Sequence, residues 1–437
     1  ADYIYRYWDN FGEGGFRRMV NEGAFLREAH FNYAPTHTGP GHASVYTGTT
    51  PRDHGIVANG WYFRDLSEIW LWRQSNHLVG GEKVWEAAKR RDPAFTCAKL
   101  FWWYNMYASV DIAVTPRPMY LADGRKLPDI YTHPAGLRDE LQGALGEFPL
   151  FRFWGPGADI VSSRWIAQAA LKVLDAQRPT LTLVYLPHLD YDLQRFGPHH
   201  PGIPAQVAAV DALCEPLIDK ARAMGAHVVV LSEYGITEVS RPVHINRALR
   251  QAGWLKVRVE RGRELLDAGA SDAFALADHQ LAHVYVARPE LLPEVASCLR
   301  SLQGVDTVLD DAGKKAAGLD HARSGELVAV AKADSWFTYY HFLDDARAPD
   351  FARTNPRVAT PQVSGGNVRI ASANDPQSMD PHALSSDQEE VLRIEQALTA
   401  CHGQIGEAAK LLSMSRVTLW RKMKVLGLSS RGSRVGR

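Results

Sequence analysis

The stretch THTGPGHASVYTGTTPRDHG, residues 36–55, gathers six aliphatic hydroxyls (Thr36, Thr38, Ser44, Thr47, Thr49 and Thr50), three histidines and four glycines. It contains no sustained apolar run. Thr38 precedes a Gly-Pro-Gly turn, and a helix is expected to begin near His42. A hydroxyl at a helix N-terminus sits among backbone N–H groups that have no intrahelical acceptor. Those groups and the helix dipole suit a phosphate. A free threonine hydroxyl is a weak nucleophile and needs activation. A divalent cation would supply that while screening phosphate charge. The plainer reading of the same residues is a Gly- and Thr-rich surface loop.

Outward from this stretch the chain reads as α/β. LTLVYL (181–186) and HVVVLS (227–232) are short, β-branched and bounded by turn or polar residues, and each follows a helical pattern. Buried parallel strands read this way. AHVYVA (282–287) and ELVAVAKA (326–333) are further strand candidates. In sheets built by such alternation, functional residues collect just past the carboxyl ends of strands, here PHLDYD and EYGITE. Lys+Arg and Asp+Glu number 49 each, so no global field draws the protein to nucleic acid or membrane. No stretch approaches the ~20 apolar residues of a membrane span. Cys97, Cys214, Cys298 and Cys401 form no CxxC pair, which excludes zinc ribbons and thioredoxin-like redox motifs and suits inert thiols. The abrupt start at ADYIYRYW, without Met or a signal sequence, reads as processed or cut from a longer parent.

YRYWDNFGEGGFRRMVNEGAF, followed by NYAPTHTGPGHASVYTGTTPRDHGIVANGW, resembles the alkaline phosphatase superfamily, in its type I phosphodiesterase/nucleotide pyrophosphatase branch. The resemblance covers about residues 2–354. It implies an alkaline-phosphatase-like α/β sandwich, two divalent metal ions, usually zinc, and a phosphate ester or nucleotide-like substrate. It further implies that Thr38 is the nucleophile and that Asn59, in ANGW, contacts a phosphoryl oxygen.

The metal set departs from the family pattern. The family's apolar first strand, ending in a metal-binding Asp, has no counterpart before Asp2. In HLDYDLQRFGP, Asp190 matches a ligand, but Gln194 stands where relatives carry His. In LSEYG, Glu233-Tyr234 replaces Asp-His; Glu can ligate zinc, whereas a neutral Tyr rarely does. The family's last His falls where this chain turns to linker. His188, Asp192, His279 and His283 are compensating candidates. In ADHQLAH, His279 and His283 are four apart and would share a helix face, and Asp278-His279 imitates the missing pair. Asp190, Glu233 and His279 are the expected metal residues. Arg117, Arg125 and Lys126 could clamp phosphate or form an ordinary solvated loop. FWWYNMY (101–107) reads as core packing.

Residues 355–383 are rich in Pro, Ser, Asn and Gly and read as a linker. From 384 to 437 three helices are expected. The first runs from about Asp387 to Ala400, capped by Ser386 with Glu389 and burying Val391, Ile394 and Leu398. The second lies near Ile405–Leu412 and buries Ala408, Ala409 and Leu412. The third, Arg416–Leu426, is capped by Ser415 and ended by Gly427. From Lys410 onward there are eight basic residues and no acid, the electrostatic footprint of DNA binding. GQIGEAAKLLSMSRVTLWRKMKVLGL resembles the Fis-type helix-turn-helix of bacterial regulators. That resemblance implies major-groove entry by the third helix and a homodimer. Arg416, Val417, Thr418 and Arg421 then face bases, and Lys422 and Lys424 phosphates. A cytoplasmic location follows from it. Three functional readings result: a metal-dependent phosphoric ester hydrolase with a DNA-binding module, a regulator whose inactive hydrolase-like domain senses a phosphorylated ligand, or joined gene fragments.

Overall fold

The structure is a computed structural model. It describes residues 2–27, 29–154 and 157–349, and in the C-terminal part residues 394, 397, 398, 401, 404–412, 414–425 and 428. The expected linker 355–383 lies outside the described residues, as do Ser386, Glu389, Val391, Gly403, Gly427 and the side chain of Lys424.

One sheet runs in the order Ile130–His133, Ile112–Pro116, Cys97–Leu100, Leu181–Val184. Cys97–Leu100 is parallel to both neighbours, and Ile130–His133 closes one edge antiparallel. Both faces are covered, so successive residues alternate between two cores. Ala98, Leu100 and Val114 pack against Trp165, Ile166 and Val173 of the helix Ile160–Gln177. Cys97 and Ala113 face Tyr46, Ile56, Trp85 and Trp103. Burial pushes the Cys97 thiol up to about 12, in keeping with an inert cysteine. Tyr46 belongs to the helix Thr38–Thr47, which is thereby laid across the sheet. Its N-terminal end meets the segments leaving the strands Cys97–Leu100 and Leu181–Val184: Trp103 N–H donates to His42 Nδ1, and the Tyr185 ring meets the His42 ring edge-on.

A second, antiparallel sheet runs Ala273–Asp278, Leu281–Val286, Leu327–Ala331, Val305–Leu309, with its core around Phe274, Val284, Tyr285 and Val295. It realises the strands expected near 282–287 and 326–333. It also corrects the reading of ADHQLAH, which is no helix. Asp278 pairs with Leu281 across a tight hairpin whose first turn residue, His279, has φ 58°. His283 points elsewhere, with Nε2 3.1 Å from Val57 O and Nδ1 accepting Gly325 N–H.

A second expectation is also overturned. HVVVLS forms no strand, and Val229, Val230 and Leu231 are 79%, 49% and 46% exposed. The pattern has the right residues, but no described strand lies beside it to complete its backbone hydrogen bonds.

FWWYNMY is core as expected, apart from exposed Tyr107. Phe101, Tyr104 and Tyr107 nonetheless hold φ of 59°, 55° and 62°, a region costly for bulky side chains, at about 1–3 kcal/mol each. The buried Lys99 amino group holds the loop in this shape: its Nζ donates to Trp103 O at 3.0 Å and Tyr104 O at 2.7 Å, and burial drives its pKa well below the usual lysine range.

In the C-terminal module, Ile405–Leu411 and Arg416–Val425 pack through Ala408, Ala409, Leu412, Leu419 and Met423 onto Ile394 and Leu398. Alanines let the helices approach closely. Ser415 Oγ accepts Thr418 N–H at 3.0 Å, which is the expected N-cap. Among the described residues, no helix is long and apolar enough to cross a membrane.

Candidate functional site

Thr38 is the first residue of its helix and is buried. Close approach requires glycine at position 41 and crowds position 39. A Cβ on Gly41 would stand 2.5 Å from Glu233 Cβ, and one on Gly39 would lie 3.0 Å from the Tyr104 hydroxyl. The open cradle of backbone N–H groups expected here is largely closed. Gly39 N–H donates to Asn59 Oδ1 at 2.8 Å, Pro40 has no N–H, and Gly41 N–H donates to His37 O at 2.8 Å.

An acidic flank lies on one side of Thr38. Thr38 Oγ1 donates to the Tyr234 hydroxyl at 3.4 Å, and Tyr234 donates to Asp190 Oδ1 at 2.8 Å. Asp190 sits in the first turn of the helix His188–Phe196. Burial pushes its carboxyl up to about 6; hydrogen bonds from Tyr234 and Gln194 oppose the rise, and the charge of Glu233 adds to it. Glu233 Oε1 lies 3.5 Å from His42 Nε2. Because His42 Nδ1 accepts a backbone N–H, the proton of the neutral ring sits on Nε2, facing Glu233. Burial holds His42 below the usual imidazole range, and it raises Tyr185 and Tyr234 well above the usual phenol range. The Tyr185 phenol also engages Thr38.

A second carboxylate approaches through Asn59 and His37. Asp278 Oδ2 accepts Asn59 N–H at 2.9 Å, and Asp278 Oδ1 accepts Asn59 Nδ2 at 3.3 Å. His37 Nδ1 stands 3.0 Å from Oδ2, and His279 Nε2 stands 3.7 Å from Oδ1. Burial alone would raise this carboxyl. The charge of the nearby His37, with that of His279 and the hydrogen bond from Asn59 N–H, instead holds it well below the usual carboxylate range.

The fold therefore gathers Thr38, Asn59, Asp190 and Glu233 at one place. His279 pairs with Asp278 and meets the His37 ring edge-on, on the Asn59 side of Thr38. The other compensating candidates are engaged elsewhere: His188 with Gln206, and Asp192 with Arg195. Arg125 pairs with Asp123, Lys126 lies over the Tyr120 ring, and Arg117 reaches Met106, so these three form no phosphate clamp with one another.

The two-zinc set implied by the family resemblance does not fit this donor arrangement. Gln194 and Tyr234, in the places of two imidazoles, are hydrogen-bonded to Asp190. Among the described residues, no three His, Cys, Asp or Glu side chains converge as metal ligands. What remains near Thr38 is oxygen chemistry from Asp190 and Glu233, which suits harder cations than zinc.

Sequence reading missed His37 and Tyr185, and it took Asp278 only as half of a possible metal pair with His279, missing its grip on Asn59. Asp278 is 219 residues from Asn59, and no local pattern announces such a pair. In the C-terminal module, Arg416, Val417, Thr418 and Arg421 are exposed and Lys422 is half-buried. The hydroxyl of Thr418 lies 2.7 Å from Ser415 Oγ, within the helix cap. Trp420, 54% exposed, was also missed; it lies three residues from Val417, on the same face.

Residues 1–355 match the sequence model of the type I phosphodiesterase/nucleotide pyrophosphatase family, and residues 388–426 that of the Fis family of bacterial regulatory proteins. A 67-residue segment is 49% identical to alkaline phosphatase PafA of Elizabethkingia meningoseptica, covering 15% of this chain and 12% of that protein. A 61-residue segment is 44% identical to alkaline phosphatase PhoV of Synechococcus elongatus, covering 14% and 11%. The chain spans between 9% and 15% of the length of the curated relatives it matches. The crystal structure of PafA is similar in fold, with a TM-score of 0.60 at 16% identity over 78% of this chain and 84% of that one. Phosphonoacetate hydrolase from Sinorhizobium meliloti, in complex with phosphonoacetate, gives a TM-score of 0.55 at 17% identity over 84% of each chain. At these identities the likeness is one of fold, and it bears out the expected alkaline-phosphatase-like α/β architecture.

Proposed function

Because the chain belongs to the type I phosphodiesterase/nucleotide pyrophosphatase family, we propose that it hydrolyses phosphoric esters with Thr38 as nucleophile and binds DNA through its C-terminal module. The observation that carries the first half is the position of Thr38 Oγ1. It is buried at a helix start, linked through Tyr234 to Asp190, with the Asn59 amide fixed beside the next residue. Thr38 Oγ1 attacks phosphorus. Its proton passes to the Tyr234 oxygen as the Tyr234 proton passes to Asp190 Oδ1. The ester oxygen leaves with the bonding electron pair, and water then hydrolyses the phosphothreonine. An amide nitrogen has two hydrogens. One hydrogen of Asn59 Nδ2 is held by Asp278, and the other is available to a phosphoryl oxygen. The family also implies a divalent cation, for which Asp190 and Glu233 are the natural donors, and no step here depends on zinc.

The test is hydrolysis of bis-p-nitrophenyl phosphate and p-nitrophenyl phosphate by wild type and Thr38→Ala, without added metal and with magnesium, manganese or zinc. Turnover lost in Thr38→Ala supports the reading, and equal turnover in both overturns the nucleophile. A second reading is favoured by Gln194 and Tyr234 standing where metal-binding imidazoles would. In it, the domain senses a phosphate ester and the module reports on DNA. Wild type without turnover, but with DNA affinity altered by a phosphate ester, selects that reading. For the module, the Fis-type match supports Arg416, Val417, Thr418 and Arg421 as base contacts and Lys422 and Lys424 as phosphate contacts, and a DNA-binding role supports a cytoplasmic location.

A further inference from the structure

Asn59 does its proposed work only if its amide points the right way. A primary amide is nearly symmetric in shape, so its hydrogen-bond partners alone decide which end is oxygen and which is nitrogen. At Asn59 one partner is Gly39 N–H, which can only donate, 2.8 Å from Oδ1. The other is the Asp278 carboxylate, which when ionised can only accept, 3.3 Å from Nδ2. Asp278 also receives the backbone N–H of Asn59 at 2.9 Å. His37, the residue before Thr38, stands 3.0 Å from it. One buried carboxylate thus grips Asn59 twice and reaches the segment carrying the nucleophile.

We propose that Asp278 is a positioning residue that fixes the Asn59 amide with its nitrogen toward the phosphoryl group. This rests on the hydrolase reading for its catalytic consequence, but it concerns oxyanion binding as well. The isosteric Asp278→Asn variant presents an amide of its own in place of the carboxylate. Its single acceptor oxygen is taken by the Asn59 backbone N–H, so the Asn59 side-chain nitrogen, with Gly39 N–H still holding Oδ1, loses the acceptor that aims its second hydrogen at an anion.

The experiment uses the full chain as wild type, Asn59→Ala, Asp278→Asn and the double variant. Inorganic phosphate binding is measured by calorimetry, bis-p-nitrophenyl phosphate hydrolysis by kcat and KM, and folding by thermal unfolding. Loss of one hydrogen bond to a charged group predicts phosphate binding about tenfold weaker in Asp278→Asn. Asn59→Ala should weaken binding equally, and the double variant no further. A merely structural role would reduce the folded fraction and leave the dissociation constant of that fraction unchanged. Wild-type affinity in Asp278→Asn, or an added loss of full size in the double variant, overturns the proposal. If Asp278→Asn does not fold, Asp278→Glu keeps an acceptor and should retain more affinity than Asp278→Ser. Equal affinity in those two overturns it. Phosphate binding without ester turnover in wild type defeats the hydrolase reading alone and leaves the positioning claim to the binding data. Absence of phosphate binding in wild type overturns the positioning claim.

Discussion

Asp190 reaches Thr38 through Tyr234 and Asp278 approaches it through His37 and Asn59, and their carboxyls are driven in opposite directions. Asp190 is pushed up to about 6, and Asp278 is held well below the usual range. Burial acts on both alike. What differs is the company: neutral donors and the nearby Glu233 carboxylate for one, two imidazoles and a backbone N–H for the other. A buried carboxylate with its charge answered locates its neighbours. One whose charge is only partly answered is ready to take a proton or a cation. In the proposed reaction the surroundings of Thr38 divide along this line, one carboxylate fixing geometry and the other receiving the Thr38 proton.

The strongest test of this division removes the residue joining the flanks. Thr38→Ala should lower ester hydrolysis by at least about 10³-fold, measured as kcat with a nitrophenyl ester. Tyr234→Phe cuts only the link to the acidic flank and should lower kcat by about 10²-fold while phosphate binding is retained. It also deprives ionised Asp190 of a donor, so the acidic limb of the pH–rate profile should move to higher pH. Retention of the wild-type profile would separate Asp190 from the chemistry.

Stability should show the opposed shifts with opposite signs. Below the unfolded-state value near 4, Asp190 is protonated in both states and costs nothing. As pH rises through about 6, the folded state ionises with difficulty and stability falls, by roughly 2 kcal/mol in all. Asp278 contributes stability above pH ~4 that is lost as pH falls. Urea unfolding across pH 3–8 should therefore change slope between pH 4 and 6 in Asp190→Asn and only below ~4 in Asp278→Asn. The smallest effect belongs to the apolar run left unpaired among the described residues. Val229→Asp, at an exposed site, should shift stability by less than about 0.5 kcal/mol. Leu183→Asp, in a paired strand packed on the core, should cost about 2–3 kcal/mol.

That last pair also marks how far the sequence could be read. LTLVYL and HVVVLS carry the same signal of β-branched residues between turns. One becomes the strand Leu181–Val184 because Cys97–Leu100 lies beside it, and the other lacks a described neighbour. A helix after Thr38 and the capped third helix of the DNA-binding module were legible, because each depends on residues a few positions apart; the helix starts at Thr38 rather than near His42, with Gly39-Pro40-Gly41 inside it rather than in a turn, because its glycines pack against Glu233 and Tyr104, far away in sequence. His279 was misread for the complementary reason: four-residue spacing suggests a helix face, whereas pairing with Leu281–Val286 turns the same residues into a hairpin.

From sequence alone followed the α/β class, the hydroxyl at a helix start, the neutral charge of the whole and the basic stripe of its C-terminal part. These depend on composition and on periods of two to four residues. Only the tertiary structure decided that Tyr234 would bridge Thr38 to Asp190, and that Asp278 would take hold of Asn59. Partners 44 to 219 residues apart are chosen by how layers pack, and a carboxylate's charge is set by whatever that packing brings within hydrogen-bonding distance.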